Sequence, residues 1–136
     1  MALLAEAQGC MAVVLNAPAP IETFELIART VICPIVATIV SKYTDVEEKI
    51  KAGASILNIS GGADTPEIVR KIRENHSAIP IIATGGPTAE SILKTIDAGA
   101  NAISYTPPAN GDLFRIKMDK YREAEKNTFI ENEGEM

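Results

Sequence analysis

Five short runs of apolar residues alternate along the chain with stretches in which apolar residues recur every three or four positions. The runs are MAVVLNA (residues 11–17), PIVATIV (34–40), SILNIS (55–60), PIIATG (80–85) and NAISYT (101–106). Each is about strand length and mostly aliphatic or β-branched, which predicts a strand. The stretches IETFELIART (21–30), DVEEKIKAG (45–53), TPEIVRKIREN (65–75) and TAESILKTIDAG (88–99) carry the helical period, and DLFRIKMDKYREAEK (112–126) adds a last helix. Thr65 suits a helix cap with Pro66 at the first helical position. Thr44, followed three residues later by Glu47, reads as a capping box. Residues 2–9, ahead of the first strand, look like the end of a further helix.

This pattern amounts to five consecutive βα units, which argues for a parallel sheet with helical crossovers. Residues 33–60 also align without a gap on residues 79–106. Pro34 matches Pro80, Ala37 matches Ala83, Thr38 matches Thr84, and Ala52-Gly53-Ala54 matches Ala98-Gly99-Ala100. A repeated βα pair fits a (β/α) barrel, so the expected fold is α/β, a partial TIM-type barrel. A flavodoxin-like five-stranded open sheet is the alternative. Residues 1–118 are expected to form a single βα-repeat domain, and 119–136 the end of the last helix and an acidic tail.

Composition narrows the picture. Apolar residues are 46% of the chain and aromatics 4%, with no Trp, so the core must be aliphatic, the usual filling of a helix-covered parallel sheet. The formal charge is −5, of which −3 falls on residues 119–136. No basic stripe offers a surface to nucleic acid. No apolar run reaches membrane-spanning length, and a cytoplasmic protein is expected. Cys10 and Cys33 have neither metal nor redox spacing and read as small buried hydrophobes in a reducing compartment.

In parallel α/β folds ligands sit beyond the C-terminal ends of the strands. His76, the one histidine, falls on the opposite rim, with Gly9, Gly53 and Gly99 as helix stops. The ligand-facing turns hold Asn16-Ala17-Pro18, Ser41-Lys42-Tyr43-Thr44, Ser60-Gly61-Gly62, Thr84-Gly85-Gly86-Pro87 and Thr106-Pro107-Pro108. They are rich in hydroxyls and glycine, and Lys42 is their obvious cation. Asp45 and Asp64 read as cap or first-turn acids. Gly85 and Gly86 sit between a strand and a helix N-terminus, where bare amides and the helix dipole suit a phosphate. Thr106, ending the next strand, could add a hydroxyl.

At these residues the sequence resembles the C-terminal part of the phosphate-binding (β/α)8 barrels, in pattern the 2-keto-3-deoxy-6-phosphogluconate aldolase family. AEAQGCMAVVLNAP resembles its step into the fourth strand, CPIVATIV the strand after it, AGASILNIS the sixth, and IPIIATGGPTAESILKTIDAGANAISYT the last two. The resemblance covers about residues 5–110. It implies that Gly85 and Gly86 bind phosphate, that Thr106 replaces a phosphate-binding Ser, and that Thr84 faces a carboxylate or carbonyl. The chain departs from the family in two ways. Asn58 stands where the family has its Schiff-base lysine, and an amide cannot form an imine. The family's first three strands have no counterpart. The chain also resembles receiver domains in length, yet Asn16 and Asn58 occupy places where a receiver needs acids.

These readings lead to an expected function. The chain binds a small phosphorylated sugar or keto-acid at its C-terminal strand rim, as an aldolase- or isomerase-like enzyme or remnant. Gly85, Gly86 and Thr106 would hold the phosphate. Lys42 would supply charge or a nucleophile, and Asn58 would hydrogen-bond a carbonyl. No metal or cofactor is expected. The alternatives are a non-catalytic phosphate-ligand sensor and a truncated barrel without independent activity. A sheet cut from a barrel exposes edges and inner-face apolar residues, so a homo-oligomer is expected.

Overall fold

The computed structural model describes residues 1–107 and 109–134. They form two compact units, the first Met1–Tyr105 and the second beginning at Thr106.

The first unit holds five strands, β1 (Val13–Leu15), β2 (Ile35–Ile39), β3 (Ala54–Ile59), β4 (Ile81–Thr84) and β5 (Ala102–Ser104). Five helices accompany them: α1 (Ala2–Ala7), α2 (Ile21–Thr30), α3 (Val46–Lys51), α4 (Thr65–Asn75), preceded by a 3-10 turn at Gly62–Asp64, and α5 (Ala89–Asp97). All neighbouring strands are parallel, in the order β1-β2-β3-β4-β5. That order decides between the two expected folds. A flavodoxin-like sheet places its first strand between the second and third and reverses direction there. Here every strand is added on the same side, as in a barrel wall, and the fold is a partial TIM-type barrel. The second unit consists of the 25-residue helix α6 (Asn110–Gly134) and the residues leading into it.

Residue parity assigns the two faces of the sheet. Side chains alternate along a strand, and residues in register share a face. Ile35, Ala37 and Ile39 join Leu57, Ile59, Ile81 and Ala83 in one core, completed by Phe24 of α2 and by Ile68, Val69 and Ile72 of α4. The opposite face carries Val36, Thr38, Asn58, Ile82 and Thr84 in adjoining registers. It is closed in the middle and open at the edge, since Val36 is 2% exposed and its β1 partner Val14 is 54% exposed. The aligned repeat is also structural. Residues 33–60 supply β2-α3-β3, residues 79–106 supply β4-α5-β5, and Gly53 and Gly99 close the two helices at nearly equal φ of +124° and +117°.

Asp45 and Asp64 stand at the caps of α3 and α4, as acids at those places were expected to, whereas the Thr44 and Thr65 caps differ from the sequence expectation. Asp45, not Thr44, caps α3, accepting from the Glu48 amide at 3.0 Å. Thr65 lies inside α4 and is 1% exposed. Its hydroxyl turns back to accept from the Gly61 amide at 3.0 Å. The capping box belongs instead to α5, where Thr88 and Ser91 satisfy each other's amides. Cys33 packs half-buried against the core, whereas Cys10, in the turn after α1, is exposed.

α1 is tied to the sheet by one carboxylate. Glu6 Oε1 accepts from the Ile32 and Cys33 amides at 2.6 and 2.8 Å, at the entry to β2. These bonds favour the charged form and hold the Glu6 carboxyl below its ordinary range. A depressed carboxylate pKa stabilises above the unfolded-state value, and the contribution fades as pH falls through the folded-state value. Amide exchange at Ile32 and Cys33 should therefore quicken on acidification in the wild type and lose this pH dependence in Glu6→Gln. Equal protection of both amides in the two proteins across that range would show that the carboxylate does not hold the entry.

Candidate functional site

The C-terminal ends of β3 and β4 open onto a cavity of about 490 Å3 between the turns that start α4 and α5. Gly62 and Pro66 line it from one side, and Thr84, Gly85, Gly86 and Thr88 from the other. The structure thus brings together three of the expected site residues, Thr84, Gly85 and Gly86.

The two glycines are not equivalent. The Gly85 amide donates to the Ser104 carbonyl at 3.0 Å, extending the β4–β5 ladder by one bond. A Cβ there would lie 2.6 Å from Ile103 Cγ2 and 2.7 Å from Ile92 Cγ1. Gly85 therefore lacks a side chain because β5 and α5 occupy the space. Gly86 has φ of +76°, and a Cβ would come within 2.7 Å of Ser91 Oγ, the hydroxyl of the capping box. Among the described residues its amide has no protein acceptor. Gly86 lies beside the start of α5, where the Ser91 amide is taken by Thr88 and the other first-turn amides have no intrahelical partner.

Electrostatics at this corner is mixed. Glu90 sits in the first turn of α5 and pairs with Lys94 at 3.0 Å. The lysine holds the Glu90 carboxyl below its ordinary range, chiefly through their hydrogen bond. The corner therefore carries a carboxylate as well as free amides.

The remaining candidates lie elsewhere. Asn58 projects from the middle of β3 onto the open face, and its Nδ2 donates to Thr38 Oγ1 at 3.3 Å. Lys42 turns toward the helix layer. Its Nζ bonds Glu67 of α4 at 3.2 Å, and this bond with the adjacent charge raises its pKa. It lines a second cavity of about 500 Å3, over Ile39, Ile68 and Ile72. Thr106 belongs to the second unit. The β5 residue in register with Thr84 is Ser104, two positions earlier. Ser104 was legible only through strand parity.

His76 ends α4, as its rim assignment implies, and shares the second cavity with Lys42. Its Nε2 lies 2.7 Å from Glu47 Oε1, in the first turn of α3. Nothing in the sequence joins these two residues, because the contact depends on how α3 and α4 lie side by side. Among the described residues no group of three or more His, Cys, Asp or Glu side chains could hold a metal, and no helix is long and apolar enough to cross a membrane.

No protein-family model matches the chain, and no curated protein does. Solved structures do. Native KDPGal is 22% identical over 77% of this chain and 50% of its own, with a TM-score of 0.59. A mandelate oxidase mutant with (S)-mandelic acid is 20% identical over 76% of this chain and 44% of its own, with a TM-score of 0.60. A cube-shaped, highly porous protein cage designed by fusing symmetric oligomeric domains is 19% identical over 93% of this chain and 54% of its own, with a TM-score of 0.60. The chain spans about half the length of these proteins. KDPGal and mandelate oxidase are TIM-barrel proteins, so the likeness supports a barrel-type fold and no particular family.

Proposed function

We propose that the chain binds a small phosphorylated sugar or keto-acid at the β4–α5 corner and releases it unchanged. The observation that carries this reading is the Gly86 amide, unspent and held at positive φ beside the first turn of α5. Backbone donors at a helix N-terminus favour an anion. Thr84 would face the body of the ligand, and Gly85 would shape the turn without donating. Binding without turnover is favoured by the two residues expected to carry chemistry. An amine that attacks a carbonyl must be deprotonated, and the hydrogen bond to Glu67 shifts the Lys42 pKa upward, against the neutral amine. Asn58 has an amide that already donates to Thr38.

Inorganic phosphate and a three- to six-carbon sugar phosphate, titrated against the labelled protein, test the reading. The Gly86 amide resonance is expected to move, while that of Gly85, bonded to Ser104, stays. Glu90→Gln removes a like charge from the corner and should tighten phosphate binding by about two- to fivefold at low salt. Resonances at Gly86 and the first turn of α5 that ignore both ligands would end the proposal. A borohydride-trapped adduct of a keto-acid phosphate on Lys42 would replace binding with aldolase chemistry.

A further inference from the structure

We infer that α6 is a self-association element, which pairs with α6 of a second copy of this chain in antiparallel orientation. The helix runs for 25 residues, about 37 Å, and its residues from Asn110 to Ile130 are exposed except for half-buried Met118. It carries Leu113, Phe114, Ile116, Tyr121, Phe129 and Ile130 in that exposed state, at 46–67% of full exposure. A lone helix in water is marginal, and most helical stability in proteins comes from burying one face. Phe114, Met118, Tyr121 and Phe129 fall within one stripe at helical spacing, with Glu125 the polar interruption.

Charge selects both the occupant and the direction. Residues 110–122 hold two acids, Asp112 and Asp119, against four bases, Arg115, Lys117, Lys120 and Arg122. By sequence, residues 123–134 hold four acids against Lys126 alone. A parallel pair would set like-charged halves side by side. An antiparallel pair sets the basic half of each copy against the acidic half of the other. It also brings the Phe114 end of one stripe to the Phe129 end of the other. The half-charges repel a second copy in the wrong orientation, which is how helix pairs fix their direction.

Sedimentation equilibrium on the full chain at micromolar concentration should report a dimer that weakens as salt is raised. Phe114→Glu with Phe129→Glu should raise the dimer dissociation constant by at least about tenfold, with the unfolding midpoint of the βα unit retained. Orientation is read by cross-linking in a Cys10→Ser, Cys33→Ser background. Phe114→Cys mixed with Phe129→Cys should yield the mixed disulfide dimer on mild oxidation. Overturning results would be a wild-type monomer, whose helix covers its stripe within its own chain or on added anionic vesicles. A dimer indifferent to the double Glu variant, or cysteine variants that cross-link only with themselves, would equally overturn it.

Discussion

Replacing Phe24 with alanine should remove about 3–5 kcal/mol from the stability of the βα unit, the largest effect expected of any single side chain here. Phe24 is 1% exposed and heads the fully buried side chains by volume, in a core otherwise built from Ile, Val, Leu and Ala. No second aromatic ring can relax into the space. The ring also has a lid: Lys49 Nζ lies 4.8 Å from its centroid and donates to the Ala19 carbonyl at 2.8 Å. The ammonium is thus held by α3 over a ring supplied by α2. Domains of this kind are stable by about 5–15 kcal/mol, so the loss could leave the unit partly unfolded at room temperature. Urea unfolding measures it, as a lowered midpoint at unchanged slope. Phe24→Leu should cost less than half as much. Lys49→Met removes the charge but keeps much of the cover, and should cost about 0.5–1 kcal/mol. An alanine variant within 1 kcal/mol of wild type would mean that α2 does not pack on the sheet through this ring.

The contrast between Phe24 and Gly85 shows which features a single sequence carries. Phe24 follows from periodicity, because Ile21, Phe24 and Ile27 return to one side of a helix at every turn. The strands follow likewise, since five aliphatic runs separated by helical stretches have few arrangements other than a parallel sheet. Strand order was harder, because two folds share the same alternation and differ only in where the first strand lies. The offset of 46 residues between the matched halves favoured the barrel wall, and the order β1-β2-β3-β4-β5 agrees with it. Gly85 illustrates what local reading misses. Its amide suits a ligand by position in the chain, but it is spent on the Ser104 carbonyl, and the space of a side chain is taken by Ile103 and Ile92, one from the next strand and one from the next helix. Gly86 kept its unspent amide, so one glycine of the pair retains the geometry the motif suggested. The Thr44 capping box failed for a similar reason. Thr44 and Asp45 are adjacent and both able to cap. The choice depended on backbone direction at the end of the β2–α3 turn, which residue type does not specify.

Arg73→Ala is expected to cost about 3 kcal/mol, and the loss should be concentrated where α4 hands the chain to β4. The guanidinium donates from all three of its nitrogens. Nε donates to the Gly99 carbonyl at 2.9 Å, Nη1 to the carbonyls of Ile79 at 2.7 Å and His76 at 3.0 Å, and Nη2 to Asn101 Oδ1 at 2.7 Å. Asn101 Oδ1 also accepts from the Ile81 amide at 2.9 Å, and the Asn101 amide donates to the Ile81 carbonyl at 2.9 Å. One side chain therefore satisfies the end of its own helix, the turn before β4 and the turn before β5. Truncation leaves part-buried carbonyls without donors, which is costlier than deleting a donor and acceptor together. A lysine cannot replace it, because an ammonium presents its donors from a single point and lacks the planar fork. Arg73→Lys should recover less than half of the loss. Gly99 is kept small by its φ of +117° and also by this side chain, since a Cβ there would lie 2.9 Å from Arg73 Cγ. Adding that methyl to the alanine variant should then cost less than adding it to the wild type, a coupling that a double-mutant cycle reads directly. Hydrogen exchange at Ile81 and Asn101 should accelerate in Arg73→Ala before global unfolding does. If both amides stay as protected as the centre of β2, the guanidinium is a surface ornament and the β4–β5 entry is held by the sheet alone.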